Sequence, residues 1–162
     1  MTANRLPNHL RLLGPSIKLV PDAVANIVAL PSRRKMATED ELLARLETAG
    51  DLAPGAPLSF LVVRVAGAHS SGDDDQLRRI GNRVADLVRG TDLVGRIAGN
   101  MFGVVLQGTG VVAASAVAAR LTHHLNRLPD LSPALCITVS AATGTGMNAG
   151  TLAEAAMESD CS

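Results

Sequence analysis

Apolar and polar positions along the 162 residues sort into eight segments. Leu58–Ala66, LSFLVVRVA, is a near-continuous run of β-branched and aliphatic residues, the pattern of a strand buried on both faces. Its one charge, Arg64, is expected to pack its stem and hold its head in water. Asp92–Ala98 and Met101–Leu106 are strand-like too. Gly99-Asn100 between them signals a hairpin, since both residue types tolerate positive φ. A fourth strand, also buried, is predicted over Ala134–Ala142.

Helical periodicity marks the other four segments. In Thr38–Ala49, Leu42, Leu43 and Leu46 make an apolar face, Thr38 and Glu41 have capping-box spacing, and Gly50 is expected to end the helix. From about Asp73 to Val88 the face is Leu77, Ile80, Val84, Leu87 and Val88. Asp73, Asp74 and Asp75 crowd its first turn and Arg89 stands at its end, which complements the helix dipole. Val111–Leu128 is Ala-rich, with Val112, Ala116, Ala119 and Leu125 as its apolar positions, and a short helix follows over Thr151–Met157. The order β-α-β-β-α-β, with a helix added at each end, predicts an α+β fold of the ferredoxin-like, split βαβ kind, a mostly antiparallel central sheet with helices packed on it.

Ahead of this pattern, residues 1–24 carry prolines at 7, 15 and 21, which forbid one long helix, although Leu6, Leu10, Leu13 and Ile17 can line a short stripe. The expected division is an arm or linker over 1–24 and a domain over 25–162, with the arm as a candidate docking segment for a protein partner or a second copy of the chain.

Composition narrows the chemistry. The chain has 47% hydrophobic and 19% charged residues, an ordinary globular balance, but only two Phe and no Trp or Tyr. The core must therefore be built from Leu, Val, Ile and Ala, and the aromatic platforms that single-stranded nucleic acids stack on are missing. Fifteen basic and fifteen acidic residues cancel, so no overall field draws in nucleic acid or anionic lipid. Cys136 and Cys161 have neither the number nor the spacing of a disulfide framework or a metal site. With no apolar run long enough to span a bilayer, these features point to a cytoplasmic protein. Two metal readings fail on geometry: consecutive aspartates 73–75 point in different directions on a helix, as do adjacent His123 and His124. Both groups are expected at the surface.

TDLVGRIAGNMFGVVLQGT resembles the signature region of GGDEF domains, the diguanylate cyclase family. ANIVALPSRR is similar to that family's entry motif DxLTGLPNR, DDQLRRIGNRVADLVRGTD to its GDxxLxxVAxxLRxxxRxxD helix, ITVSAATG to its VTxSxGxA strand, and TLAEAAMES to its closing helix. The likeness runs from about residue 25 to residue 160 and implies a nucleotide-cyclase-type sandwich.

In that family, acids of the signature turn and an aspartate on the first strand hold two metal ions against GTP, because hard divalent ions want anionic oxygens. The signature here is Ala98-Gly99-Asn100-Met101-Phe102, with an amide and a thioether in place of the acids. Where the resemblance places the first-strand aspartate, this chain has Arg64 or a neighbouring apolar residue, and a cation there would repel a metal. The FKxxND segment that contacts guanine and ribose is absent, since the loop GAHSSGDD is too short for it, and the family's C-terminal lysine has no counterpart ahead of Cys161-Ser162. The resemblance thus implies a degenerate domain that has lost cyclase activity and needs no metal.

Arg89-Gly90-Thr91-Asp92 matches the family's RxxD product site in residue type and in spacing to the signature, and Arg120 falls where the family takes a second arginine from the next helix. The ligand so implied is cyclic di-GMP. An arginine fork suits guanine O6 and N7, a carboxylate suits the other guanine edge, and a second arginine offsets phosphate. Each of the three residues also has a local use, Arg89 at a helix C-terminus, Asp92 in a turn and Arg120 as an exposed helical position. Two functions stay open: a cyclic di-GMP receptor acting through Arg89, Asp92 and Arg120, or a dimerisation or protein-interaction module that binds no nucleotide.

Overall fold

The computed structural model describes residues 35–52, 55–68, 73–145 and 149–158. The arm over 1–24 and the motif ANIVALPSRR lie outside the described residues, as does Cys161. The elements run in the order α1 (Glu39–Leu52), β1 (Leu58–Ala66), α2 (Asp73–Leu87), β2 (Leu93–Ala98), β3 (Met101–Gln107), α3 (Val111–Leu125), β4 (Cys136–Gly144) and α4 (Ala149–Glu158). The fold is α+β and of the nucleotide-cyclase type, with the strands in the order β2-β3-β1-β4 and every neighbouring pair antiparallel.

β1 is interior to the sheet, which is why it is apolar at almost every position. Alternate side chains serve two cores. Leu61, Val63 and Val65 join Leu77, Ile80 and Val84 of α2 and Leu121 and Leu125 of α3 on one face. Phe60 and Val62 join Leu42 and Leu46 of α1 and Leu152 and Ala156 of α4 on the other. The two helices added to the βαββαβ core thus cover the sheet's second face. Ahead of α1, Ala37 forms an isolated parallel bridge to Gly95, donating its N–H to Val94 O at 2.9 Å and accepting from Arg96 N at 3.2 Å, so a short segment lies along the edge of β2.

The capping box of α1 forms as expected: Thr38 N donates to Glu41 Oε2 at 2.8 Å and Glu41 N to Thr38 Oγ1 at 3.3 Å. These bonds, led by the one from Thr38 N–H, and the nearby charge of Lys35 hold the Glu41 carboxyl below the usual carboxylate range.

Five expectations need correction. Gly50 does not end α1, which continues to Leu52; a glycine inside a helix costs only about 1 kcal/mol, too little to force a stop. The face of α3 is turned from the one anticipated. Ala114, Leu121 and Leu125 are buried, whereas Val112 is 86% exposed and Ala116 and Ala119 also face outward. An alanine run carries little information on phase, and Leu121 and Leu125 set it. β4 starts at Cys136 and is half-buried over most of its length because it is an edge strand. At the β2–β3 turn neither Gly99 nor Asn100 takes a positive φ. The register shifts instead between Arg96 and Ala98, leaving Ile97 without a cross-strand partner in the β2–β3 ladder, the kind of irregularity that increases local strand twist. Arg64 does not simply hold its head in water: its guanidinium donates to Met157 O at 3.5 Å, placing a cation at the C-terminal end of α4. Among the described residues, no helix is long and apolar enough to cross a membrane.

Candidate functional site

Two candidate sites lie at opposite ends of α2, whose 15 residues span about 22 Å at 1.5 Å per residue.

At the N-terminal end of α2 stands the β2–β3 hairpin tip. Val65 N donates to Asn100 O at 2.9 Å and Asn100 Nδ2 donates to Val65 O at 2.9 Å, so both the backbone and the side chain of Asn100 clamp the turn to the end of β1. Met101 pairs with Arg64 across the β1–β3 ladder, which puts the two side chains together on the α1/α4 face. Phe102 turns to the other face and is buried. Arg96, on β2, donates through Nε to Gly99 O at 2.9 Å and through its terminal nitrogen to the same carbonyl, and it reaches Asp74 Oδ1 at 3.4 Å. Asp74 and Asp75, at the start of α2, are exposed as expected; there Asp74 meets the hairpin's arginine and Asp75 pairs with Arg78 at 2.7 Å. Ala68, Asp73, Asp74, Leu77, Arg96, Gly99 and Asn100 line a shallow hollow of about 420 Å³ there.

The donor set at this tip does not fit a pair of divalent ions. Its amide donor is committed to a carbonyl, its next residue offers a thioether, and its cross-strand neighbour is a cation. Among the described residues no three His, Cys, Asp or Glu side chains gather where they could hold a metal. His123 and His124 are exposed, with rings edge-on at 5.4 Å, and Arg127 donates to His123 Nε2 at 2.8 Å.

At the C-terminal end of α2 the structure brings Arg89, Asp92 and Arg120 to one cleft of about 400 Å³. Asp92 Oδ2 accepts from Arg89 N at 2.9 Å and Asp92 N donates to Arg89 O at 3.1 Å, closing the turn between α2 and β2. Arg120 crosses from α3 and donates through its terminal nitrogen to Leu87 O at 2.7 Å, binding a carbonyl that the helix end leaves without an intrahelical partner. The walls are Leu87, Val88, Leu106, Thr109, Ala113, Ala116 and Val117. On α3 the wall positions 113, 116, 117 and 120 share one helical face by their i, i+3, i+4, i+7 spacing, but in an alanine-rich run that face carried no signal in the sequence. Thr109 carried none either.

Chemically, the cleft combines two guanidinium groups, one carboxylate and small apolar walls. It suits a planar ligand with hydrogen-bonding edges and negative charge.

A family model described as diguanylate cyclase, GGDEF domain, matches residues 67–158, more than half of the chain. Among solved structures, the active GGEEF domain of a diguanylate cyclase from Vibrio cholerae superposes with a TM-score of 0.63 at 16% identity, over 76% of this chain and 88% of that one. The GGDEF domain of DgcB from Caulobacter crescentus, in complex with c-di-GMP, gives 0.62 at 15% identity over 76% and 82%. Diguanylate cyclase SiaD from Pseudomonas aeruginosa, in complex with its activator SiaC, gives 0.63 at 20% identity over 88% and 63%. No curated protein matches the chain. The strand order, the hairpin at the head of α2, the structural likenesses and the family match agree, and the chain belongs to the GGDEF domain family of the diguanylate cyclases.

Proposed function

We propose that the chain is a catalytically inactive GGDEF domain that serves as a receptor for cyclic di-GMP. The observation that carries this reading is the convergence of Arg89, Asp92 and Arg120 on one cleft from two separate parts of the chain. The Arg89 fork reads guanine O6 and N7, the Asp92 carboxylate accepts from the opposite guanine edge, and Arg120 offsets phosphate while anchored at the end of α2. That the related DgcB domain is found with c-di-GMP supports the choice of ligand. The loss of activity rests on the hairpin tip, where Asn100, Met101 and Arg64 replace the anionic oxygens that a metal-dependent phosphoryl transfer needs.

Titration calorimetry with cyclic di-GMP and, separately, with GTP tests both halves. The receptor reading expects saturable binding of cyclic di-GMP that is lost in Arg89→Ala and Asp92→Ala. Formation of product from GTP with magnesium or manganese overturns the inactive assignment.

One observation favours a second reading, a protein-interaction or dimerisation module independent of nucleotide. Val111 and Val112, at the start of α3, are 64% and 86% exposed, an apolar pair that a partner surface would cover. SiaD, among the structural likenesses, is found with a protein activator. Absence of heat with either nucleotide at high protein concentration sinks the receptor and leaves this alternative.

A further inference from the structure

The cleft has a partly buried hydroxyl relay behind it. Ser59, fully buried in β1, lies beside Thr143 in the β1–β4 register. Ser59 Oγ donates to Thr109 O at 2.6 Å. Its single proton is committed there, so the second contact, Ser59 Oγ to Thr143 Oγ1 at 2.6 Å, must be donated by Thr143. The hydrogen bonds therefore run in one direction, from β4 through β1 to the backbone of the β3–α3 loop, an arrangement in which each bond polarises the next.

The receiving residue is a wall of the cleft. Thr109 is held at both ends, its carbonyl by Ser59 and its N–H by Pro57 O at 3.1 Å. Directly after it comes Gly110, the N-cap of α3, which makes no side-chain capping bond. The start of α3 is thus anchored through the Thr109 backbone, and α3 carries Ala113, Val117 and Arg120 into the cleft.

We propose that Ser59, backed by Thr143, is a positioning residue for the cleft. Its hydroxyl fixes where the α3 wall and Arg120 stand relative to the Arg89–Asp92 turn, without touching a ligand itself. This rests on the reading that the cleft takes cyclic di-GMP. Among the described residues no buried side-chain nitrogen or oxygen lacks a hydrogen-bond partner. Ser59→Ala would orphan the Thr109 carbonyl and force both the loop and Thr143 to find new partners.

Calorimetry with cyclic di-GMP on the full chain decides it, alongside melting curves. Ser59→Ala is expected to weaken binding about tenfold and Thr143→Val about threefold. Thr143→Ser keeps the donor and is expected to bind as the unaltered chain does. Val62→Ala truncates the core on the opposite face, and it should lower the melting temperature with affinity unchanged. Should Ser59→Ala fail to fold, the contrast between Thr143→Val and Thr143→Ser carries the decision. Binding by the unaltered chain with equal affinity in Ser59→Ala overturns the positioning role alone. So does an affinity loss in Val62→Ala as large as that in Ser59→Ala, since stability would then explain both. No heat from the unaltered chain overturns the ligand reading, and this one with it.

Discussion

An aspartate at position 100 would turn a carboxylate toward the Val65 carbonyl that Asn100 Nδ2 now reaches at 2.9 Å. The amide supplies a donor where an ionised acid can only accept. Asn100→Asp, which moves the tip back toward the acidic signature, is therefore expected to destabilise the domain by about 1–3 kcal/mol at neutral pH. Facing an acceptor, the new carboxyl has its folded pKa raised, so the deficit grows as pH rises through the carboxylate range and shrinks in acid, where the protonated group regains a donor. Urea midpoints of both proteins at neutral and acid pH measure this. A deficit equal at both pH values would show that the Val65 bond is not its source. If the domain is inactive as proposed, the same substitution should not confer cyclase activity, because Met101 and Arg64 still occupy the neighbouring positions on the β1–β3 ladder. Arg64 itself has taken up a structural task, its donor reaching the last turn of α4 at Met157 O.

At the scale of elements, α1 depends on its first turn. Thr38→Ala removes one of the two reciprocal capping bonds and is expected to cost about 1 kcal/mol, read from a shift in the denaturation midpoint. The depressed Glu41 carboxyl gives this end a pH dependence of known sign. A group whose folded pKa lies below its unfolded value contributes stability above the unfolded pKa, and that contribution is lost as pH falls through the lowered folded value. Amide protection in the first turn of α1, taken relative to the intrinsic exchange rate at each pH, should fall on acidification, and this loss of protection should vanish in Glu41→Gln. In α2 the sensitive position is Gly81, where a Cβ would sit 2.7 Å from the buried ring of Phe102 and closer still to the Met36 side chain. Gly81→Ala should gain about 1 kcal/mol of helix propensity yet lose about 1–3 kcal/mol to overpacking. Because Met36 can move and the Phe102 ring cannot move far, the net effect is a lower melting temperature. The elements themselves were legible because β1 is dense in Val and Leu and α2 has a full apolar stripe. The outward face of Ala116 and Ala119 and the register shift at Ile97 were not. Alanine does not distinguish inside from outside, and whether a Gly-Asn pair needs positive φ depends on whether a bulge absorbs the twist, which is a tertiary matter. At the candidate site, Arg89, Asp92 and Arg120 could be picked out only by likeness to a family, since each also serves a local purpose in the backbone. The Arg96–Asp74 contact, formed between residues 22 apart, left no local trace.

For the whole molecule, the cleft is lined by the end of α2, the turn that follows it, Leu106 of β3 and one face of α3, so a ligand bound there would be in contact with several separate parts of the native state at once. A ligand that binds the folded chain and not the unfolded one stabilises it by mass action, about 2.7 kcal/mol at one hundred times its dissociation constant. For a chain of this size, that corresponds to a rise in melting temperature on the order of 5–10 °C. Cyclic di-GMP is expected to produce this shift, and GTP at equal concentration much less. With no Trp or Tyr the transition has to be followed by far-ultraviolet circular dichroism or calorimetry, and any nucleotide carried through purification would show as excess absorbance at 260 nm. Arg120→Ala separates the two roles of that residue. Loss of its bond to Leu87 O lowers the melting temperature of the unliganded protein. Loss of its part in the cleft removes the ligand-induced rise. An Arg120→Ala protein that melts lower but still shows the full rise would leave Arg120 as a helix cap and confine any ligand contact to Arg89 and Asp92.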